Sequence, residues 1–334
     1  MFNKLYEEIK KYIKKEYKFL IFLLTLLLLV TIKLPYYIDI PGGIINISER
    51  IEVDGKNKLN GTLNFAYVSE MKSTIPTLLI SKINKDWDVL KKEEVLYDYT
   101  EEEMDFIDKL SMKEAVSNAQ FIAFKEAGEQ FDIENEKIYV TNVFKDAKTD
   151  LKIKDQIIKI DNIEINKIED IKKINEYTPG EKVKITVIND KKEYIREAEL
   201  ISYEGKTIIG VGIKETFDIK SNHKININYK KRESGPSGGM MTALTVYSYL
   251  TDTDLAKNKT VVGTGTIDRD GNVGEIGGVK YKLIGAVKNK ADIFLVPNGE
   301  NYEEAIKVKK EKNYDIKIVG VSTLKDAINE LKNN

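Results

Sequence analysis

The 334-residue chain has no cysteine and one histidine, His223. That removes thiolate nucleophiles and disulfide frameworks, and a lone imidazole supplies neither a multi-histidine metal centre nor most relay chemistry. Charge of one sign is also missing in excess, with 53 basic against 54 acidic residues, so nothing draws the chain to nucleic acid. No Gly-x-x-x-x-Gly-Lys-Ser/Thr loop occurs, and Gly263-Thr264-Gly265 lacks the spacing of a dinucleotide fingerprint. The run Asp268-Arg269-Asp270-Gly271-Asn272 suggests a calcium loop, but its glycine falls too early and no glutamate follows at the required place. It suits a hairpin turn between strands at Thr260 to Ile267 and Asn272 to Ile276. No metal and no cofactor are therefore expected.

What the chain does contain is Glu233-Ser234-Gly235-Pro236-Ser237-Gly238-Gly239, ahead of a helix over Gly238 to Leu250 in which Met240, Ala243, Leu244, Tyr247 and Leu250 recur at helical spacing. A serine between a proline and two glycines at a helix start exposes one hydroxyl beside unpaired backbone N–H groups, and Gly235 and Gly239 let a substrate backbone approach. With cysteine absent and His223 among polar neighbours, lysine is the remaining base. Its pKa of about 10.4 must fall by several units through desolvation before it can accept a proton at neutral pH. Ile276-Gly277-Gly278-Val279-Lys280-Tyr281-Lys282-Leu283 offers two candidates, and the apolar stripe Val279, Leu283, Ile284, Ala286 and Val287 puts Lys280 nearer its middle.

Gly235-Pro236-Ser237-Gly238-Gly239, Thr264-Gly265-Thr266-Ile267 and Gly277-Gly278-Val279-Lys280-Tyr281-Lys282 resemble, in this order, the three signatures of the Lon proteolytic domain, a Ser-Lys dyad peptidase. The likeness runs from about Ile208 to the end of the chain. It implies Ser237 as nucleophile and Lys282 as its partner, supported by Thr264, Gly235, Pro236 and Gly238. The family usually has alanine at the position of Gly238, and Lon itself has aspartate at that of Ser234. Membrane-bound signal peptidases also pair serine with lysine but lack the Gly-Gly-x-Lys-x-Lys signature.

At the other end, residues 19–32 carry no charge, and with Lys33 snorkelling and Tyr36 and Tyr37 in the headgroup belt, residues 19–38 reach the roughly 20 needed for a membrane span. The bulky flank lacks the small-x-small pattern of a signal-peptide cleavage site. Lys4, Lys10, Lys11, Lys14, Lys15 and Lys18 outnumber Glu7, Glu8 and Glu16, which predicts a cytoplasmic tail over 1–18 and an extracytoplasmic remainder at the cell membrane.

Residues 134–203 alternate as strands at Ile138 to Val143, Leu151 to Ile160 and Lys182 to Ile188, with a short helix at Ile168 to Tyr177 and a turn at Pro179-Gly180. This stretch resembles a PDZ domain through Leu151 to Ile157 and Asp161-Asn162-Ile163, without the glycines that family favours in Gly-Asp and Asn-Gly. The resemblance implies a peptide groove between the Ile138 to Val143 strand and the helix. In residues 41–133, strands are predicted at Ile51 to Val53, Gly61 to Val68 and Pro76 to Leu79, and an amphipathic helix at Ser111 to Ala127. Pro41-Gly42-Gly43 and the helix beginning Met112-Lys113-Glu114 resemble the membrane-proximal part of a bacterial family that unites an anchor, a PDZ domain and a Lon-like peptidase.

The expectation is an α+β chain: a transmembrane helix over 19–38, a membrane-proximal region over 41–133 packing with the protease, a β-rich PDZ-like domain over 134–203, and a Lon-like α+β protease domain over 204–334. Its function would be ATP-independent endopeptidase action on extracytoplasmic peptides or proteins, with a peptide ligand for the PDZ domain and room for self-association. The alternative is an inactive PDZ scaffold that binds peptides at the cell envelope.

Overall fold

The computed structural model describes every residue except 1, 57, 231, 232 and 334, together with the side chain of residue 3. The chain divides into two units, residues 1–42 with 68–98, and residues 43–67 with 99–334.

The first unit corrects the predicted membrane span. The opening helix, Phe2–Thr31, carries all its charges by Lys18 and ends before the span would, leaving 13 uncharged residues, 19–31. At about 1.5 Å per residue these reach about 20 Å, against a hydrocarbon core of about 30 Å. Tyr36, Tyr37 and Ile38 then belong to a strand, antiparallel to Lys91, Leu90 and Val89. No helix among the described residues is long and apolar enough to cross a membrane. A second correction falls at Pro76 to Leu79, predicted as a strand and found inside the helix Ile75–Ser81. Proline is tolerated in a first helical turn, and the Thr77 hydroxyl accepts the N–H of Thr74 at 2.7 Å, which starts the helix there.

In the second unit, strands Thr260–Gly263, Ile293–Pro297 and Lys317–Val321 run parallel, joined by the Thr62 to Phe65 stretch. Parallel strands covered on both faces read as unbroken apolar runs, as Ile293-Phe294-Leu295-Val296 does. Leu63, Val261 and Leu295 pack with the helices Gly239–Leu250 and Leu324–Asn333, whereas Val262, Phe294 and Val296 pack with Val279–Lys288 and Glu300–Glu311. The helix predicted at Ser111 begins earlier, at Glu101, because Thr100 and Glu103 form a reciprocal cap: Glu103 N–H donates to the threonine hydroxyl at 3.2 Å, and Thr100 N–H to the glutamate at 2.8 Å. Ala115, Ala119 and Ala123 let this helix lie close to Gly239–Leu250.

The β-rich part over residues 131–221 is a sheet ordered Val211–Ser221, Phe131–Val143, Gln156–Ile160, Lys182–Asn189, Lys192–Glu199, Lys148–Thr149. Its core of Ile138, Val140, Ile157, Ile160, Val183 and Ile185 is closed by Ile168, Ile171 and Ile174 from a short helix that continues as a 3-10 turn. The sheet extends past residue 203 to Ser221. The two missing glycines have different explanations. Lys154 adopts φ +79°, the left-handed conformation that favours glycine, whereas in the later turn it is Asp161 that is left-handed, at φ +47°.

Candidate active site

Ser237 sits half-buried in the turn before Gly239–Leu250, and five contacts fix that turn. Arg50 Nη2 holds the Glu233 carboxylate at 3.0 Å. Gly235, at φ +88°, donates its N–H to the carbonyl of Asp108 at 3.1 Å. Gly265 donates to the Ser237 carbonyl at 2.8 Å and accepts from Met240 N–H at 3.1 Å. The Thr264 hydroxyl reaches the same Ser237 carbonyl at 3.3 Å. Thr264 is fully buried, so this strap is part of the core. The Ser237 hydroxyl and the N–H groups of Ser237 and Gly238 make no hydrogen bond among the described residues.

The glycines differ in what they must be. A Cβ on Gly238 would lie 3.5 Å from the Phe65 ring at φ −91°, an ordinary contact, so the alanine usual in the resembled family would fit here. A Cβ on Gly239 would meet Ile267 Cγ2 at 3.0 Å and the Ile267 nitrogen at 3.3 Å.

The helix Val279–Lys288 opens at Gly278, φ +70°. Lys282 lies in its first turns, 4% exposed, and desolvation lowers its pKa from 10.5 to about 8. Its ammonium has no ion pair or hydrogen bond among the described residues, including none with the Ser237 hydroxyl. Lys280 is half-buried, its ammonium 5.1 Å from the Tyr281 ring centroid. Helical phase favours Lys280 only if one face is buried. Val279 and every residue from Tyr281 to Ala286 are buried, so no single stripe exists to be read.

Between the serine and lysine elements runs a hairpin, Thr266–Ile267 antiparallel to Val273–Gly274. Its turn is organised by Asp268, whose carboxylate accepts the N–H groups of Asp270 and Asn272 at 2.9 and 2.8 Å. The predicted strand from Thr260 breaks at Thr264-Gly265, where a Cβ on Gly265 would lie 2.7 Å from Val273 Cγ1. Pro236, Thr266, Ile267, Ala115, Glu114 and Lys214 line a cavity of about 370 Å³ next to the serine turn. His223 takes no part: its ring nitrogens lie 2.6 Å from Asp54 and 3.2 Å from Glu129, and these carboxylates raise its pKa.

The groove predicted on the Ile138 to Val143 strand is corrected. That strand is interior to the sheet, paired with Gln156–Ile160 on one side and over most of its length with Val211–Ser221 on the other. The edge belongs to Val211–Ser221, and its Glu215 accepts the N–H of Ile168 at the start of the short helix, at 3.1 Å.

Residues 183–333 match the model of the Lon protease (S16) C-terminal proteolytic domain. A Lon protease from Campylobacter concisus is 34% identical over 96 residues, 29% of this chain and 12% of that protein. One from Azospirillum brasilense is 30% identical over 138 residues, 41% of this chain and 16% of that protein. The chain thus spans only a small part of the length of these curated relatives. A solved PDZ domain of an SdrC-like protein from Listeria monocytogenes is 24% identical, covering 23% of this chain and 85% of that one, with a TM-score of 0.21. The C-terminal part of the chain, residues 183–333, is thus similar to the proteolytic domain of Lon proteases.

Proposed function

We propose that the chain is an endopeptidase in which Ser237 and Lys282 form the catalytic dyad. The observation that carries this reading is the buried lysine without a counter-ion, held to about 8 and so in part neutral at physiological pH. Neutral Lys282 takes the proton of the Ser237 hydroxyl as its oxygen attacks the peptide carbonyl. The lysine then returns that proton to the leaving amine, and a water molecule activated by the same amine releases the acyl group. The free N–H groups of Ser237 and Gly238 are the candidate donors to the oxyanion, aided by the N-terminus of the following helix. The serine and lysine contact belongs to the substrate complex, since catalytic hydrogen bonds often tighten only there. Thr264 and Gly265 hold the serine backbone, and Gly235 and Pro236 shape its turn.

In this reading the PDZ-like sheet serves substrate capture or regulation, and the middle of its edge strand Val211–Ser221 is already met by Ser117, whose hydroxyl donates to the Phe217 carbonyl at 2.5 Å and accepts the Phe217 N–H at 3.2 Å. The test is cleavage of unfolded casein by the purified chain. Activity lost in Ser237→Ala and in Lys282→Ala, but kept in Lys280→Ala, supports the dyad. A Ser237→Ala chain that cleaves as well as the parent refutes it, and a parent that does not cleave favours the binding scaffold.

A further inference from the structure

The edge strand Val211–Ser221 does more than border the PDZ-like sheet, because two successive charged side chains on it reach the protease part. Lys214 Nζ pairs with Glu114 of the long helix at 2.5 Å, and both line the cavity beside Pro236. Glu215, 7% exposed, divides its oxygens: one accepts the N–H of Ile168 at 3.1 Å, and the other accepts from Arg269 Nη2 at 2.7 Å. Arg269 stands in the turn of the hairpin Thr266–Ile267/Val273–Gly274, its guanidinium carbon 4.0 Å from the Phe217 ring centroid. The strand therefore grips the hairpin turn by charge and by stacking. That hairpin supplies Thr266, Ile267, Asp268, Asn272 and Gly274 to the cavity wall, and Gly265 just before it holds the Ser237 carbonyl.

We propose that Glu215 is a positioning residue: it ties the N-terminus of the short PDZ helix to the cleft hairpin through Arg269, so the PDZ-like sheet sets the register of the wall beside Ser237. This rests on the peptidase reading for its catalytic consequence but not for the tie itself. Desolvation and a hydrogen bond shared with the Glu136 carboxyl hold Glu215 up at about 7. Above that value the group is ionised, and its contact with Arg269 is a charged pair.

Glu215→Gln keeps the shape and the Ile168 acceptor but removes the charge that Arg269 meets. In the full chain at pH 8 we expect kcat for a fluorogenic peptide to fall about tenfold with KM nearly unchanged. Amide exchange across residues 266–274 should quicken by about tenfold, while residues 293–297 keep their protection. Arg269→Gln should do the same, and the double variant should be no worse than the poorer single one, because both remove one link. Exchange in the hairpin that matches the parent overturns the proposal, as do additive losses in the double variant or an unchanged kcat. Should the parent itself not cleave, the peptidase reading fails, and hairpin exchange in Glu215→Gln still decides for or against the tie.

Discussion

Replacing Lys282 with methionine removes the amine from a site that disfavours its charge, and the stability change can be worked from the titration. A base whose folded pKa is about 8 and whose unfolded pKa is 10.5 binds fewer protons folded than unfolded between those values. Its contribution to stability is therefore most unfavourable below pH 8, where both states are protonated, and recovers as pH rises towards 10.5. The shift of about 2.5 units corresponds to about 3 kcal/mol at pH 7 and about 2 kcal/mol at pH 9. Methionine has similar length and no charge, so Lys282→Met should stabilise the chain by up to about 3 kcal/mol at pH 7, and the gain should fade by about pH 10.5. Urea unfolding of parent and variant at several pH values measures this, and the difference cancels other groups, such as Tyr249, held up at about 12 by burial. A variant less stable than the parent at pH 7, or a difference that does not change with pH, would refute the reasoning that Lys282 is buried without a counter-ion.

Three further outcomes follow from the same geometry. Casein hydrolysis should rise with pH through about 8 as Lys282 loses its proton, and a profile flat from pH 6 to 9 contradicts a lysine base. Gly238→Ala should leave stability within about 0.5 kcal/mol and keep activity, whereas Gly239→Ala, driven against Ile267, should cost roughly 1–3 kcal/mol and lower kcat; equal behaviour in thermal melts and turnover would be the contrary result. Asp155 is fully buried against Arg196 Nε at 3.0 Å, Asn189 Nδ2 at 2.6 Å and the Lys152 N–H at 2.8 Å. Asp155→Ala should destabilise the sheet over residues 131–221 by roughly 3–5 kcal/mol in chemical denaturation, since it strands the arginine, and a loss below about 1 kcal/mol would speak against that network.

The parts of the site that were legible in the sequence are those whose chemistry is local. Gly235 to Gly239 and Gly277 to Lys282 each form one turn and one helix start, so the chain itself carries their geometry. The choice between Lys280 and Lys282 was not readable from periodicity, because Val279–Lys288 is buried almost all round. Hydropathy over 19–38 misled for another reason: it registers apolarity but not the end of the helix at Thr31 or the pairing of Tyr36 to Ile38 with Val89 to Lys91, which puts the last three residues of the stretch in a strand. The sheet edge is one strand further out than the local pattern suggests, because Val211–Ser221 covers Phe131–Val143 from a position roughly 80 residues later. Glu215 and Arg269 lie 54 residues apart, and nothing in either segment announces the other.

The proton equilibrium of Lys282 can be observed at its own atom. In the Ser237→Ala chain, an NMR titration of the lysine 13Cε and 15Nζ resonances, with Lys282→Met used to assign the signal, should show one lysine with a midpoint near pH 8. If every lysine instead titrates near pH 10.5, residue 282 holds its charge at neutral pH and cannot be the base for Ser237.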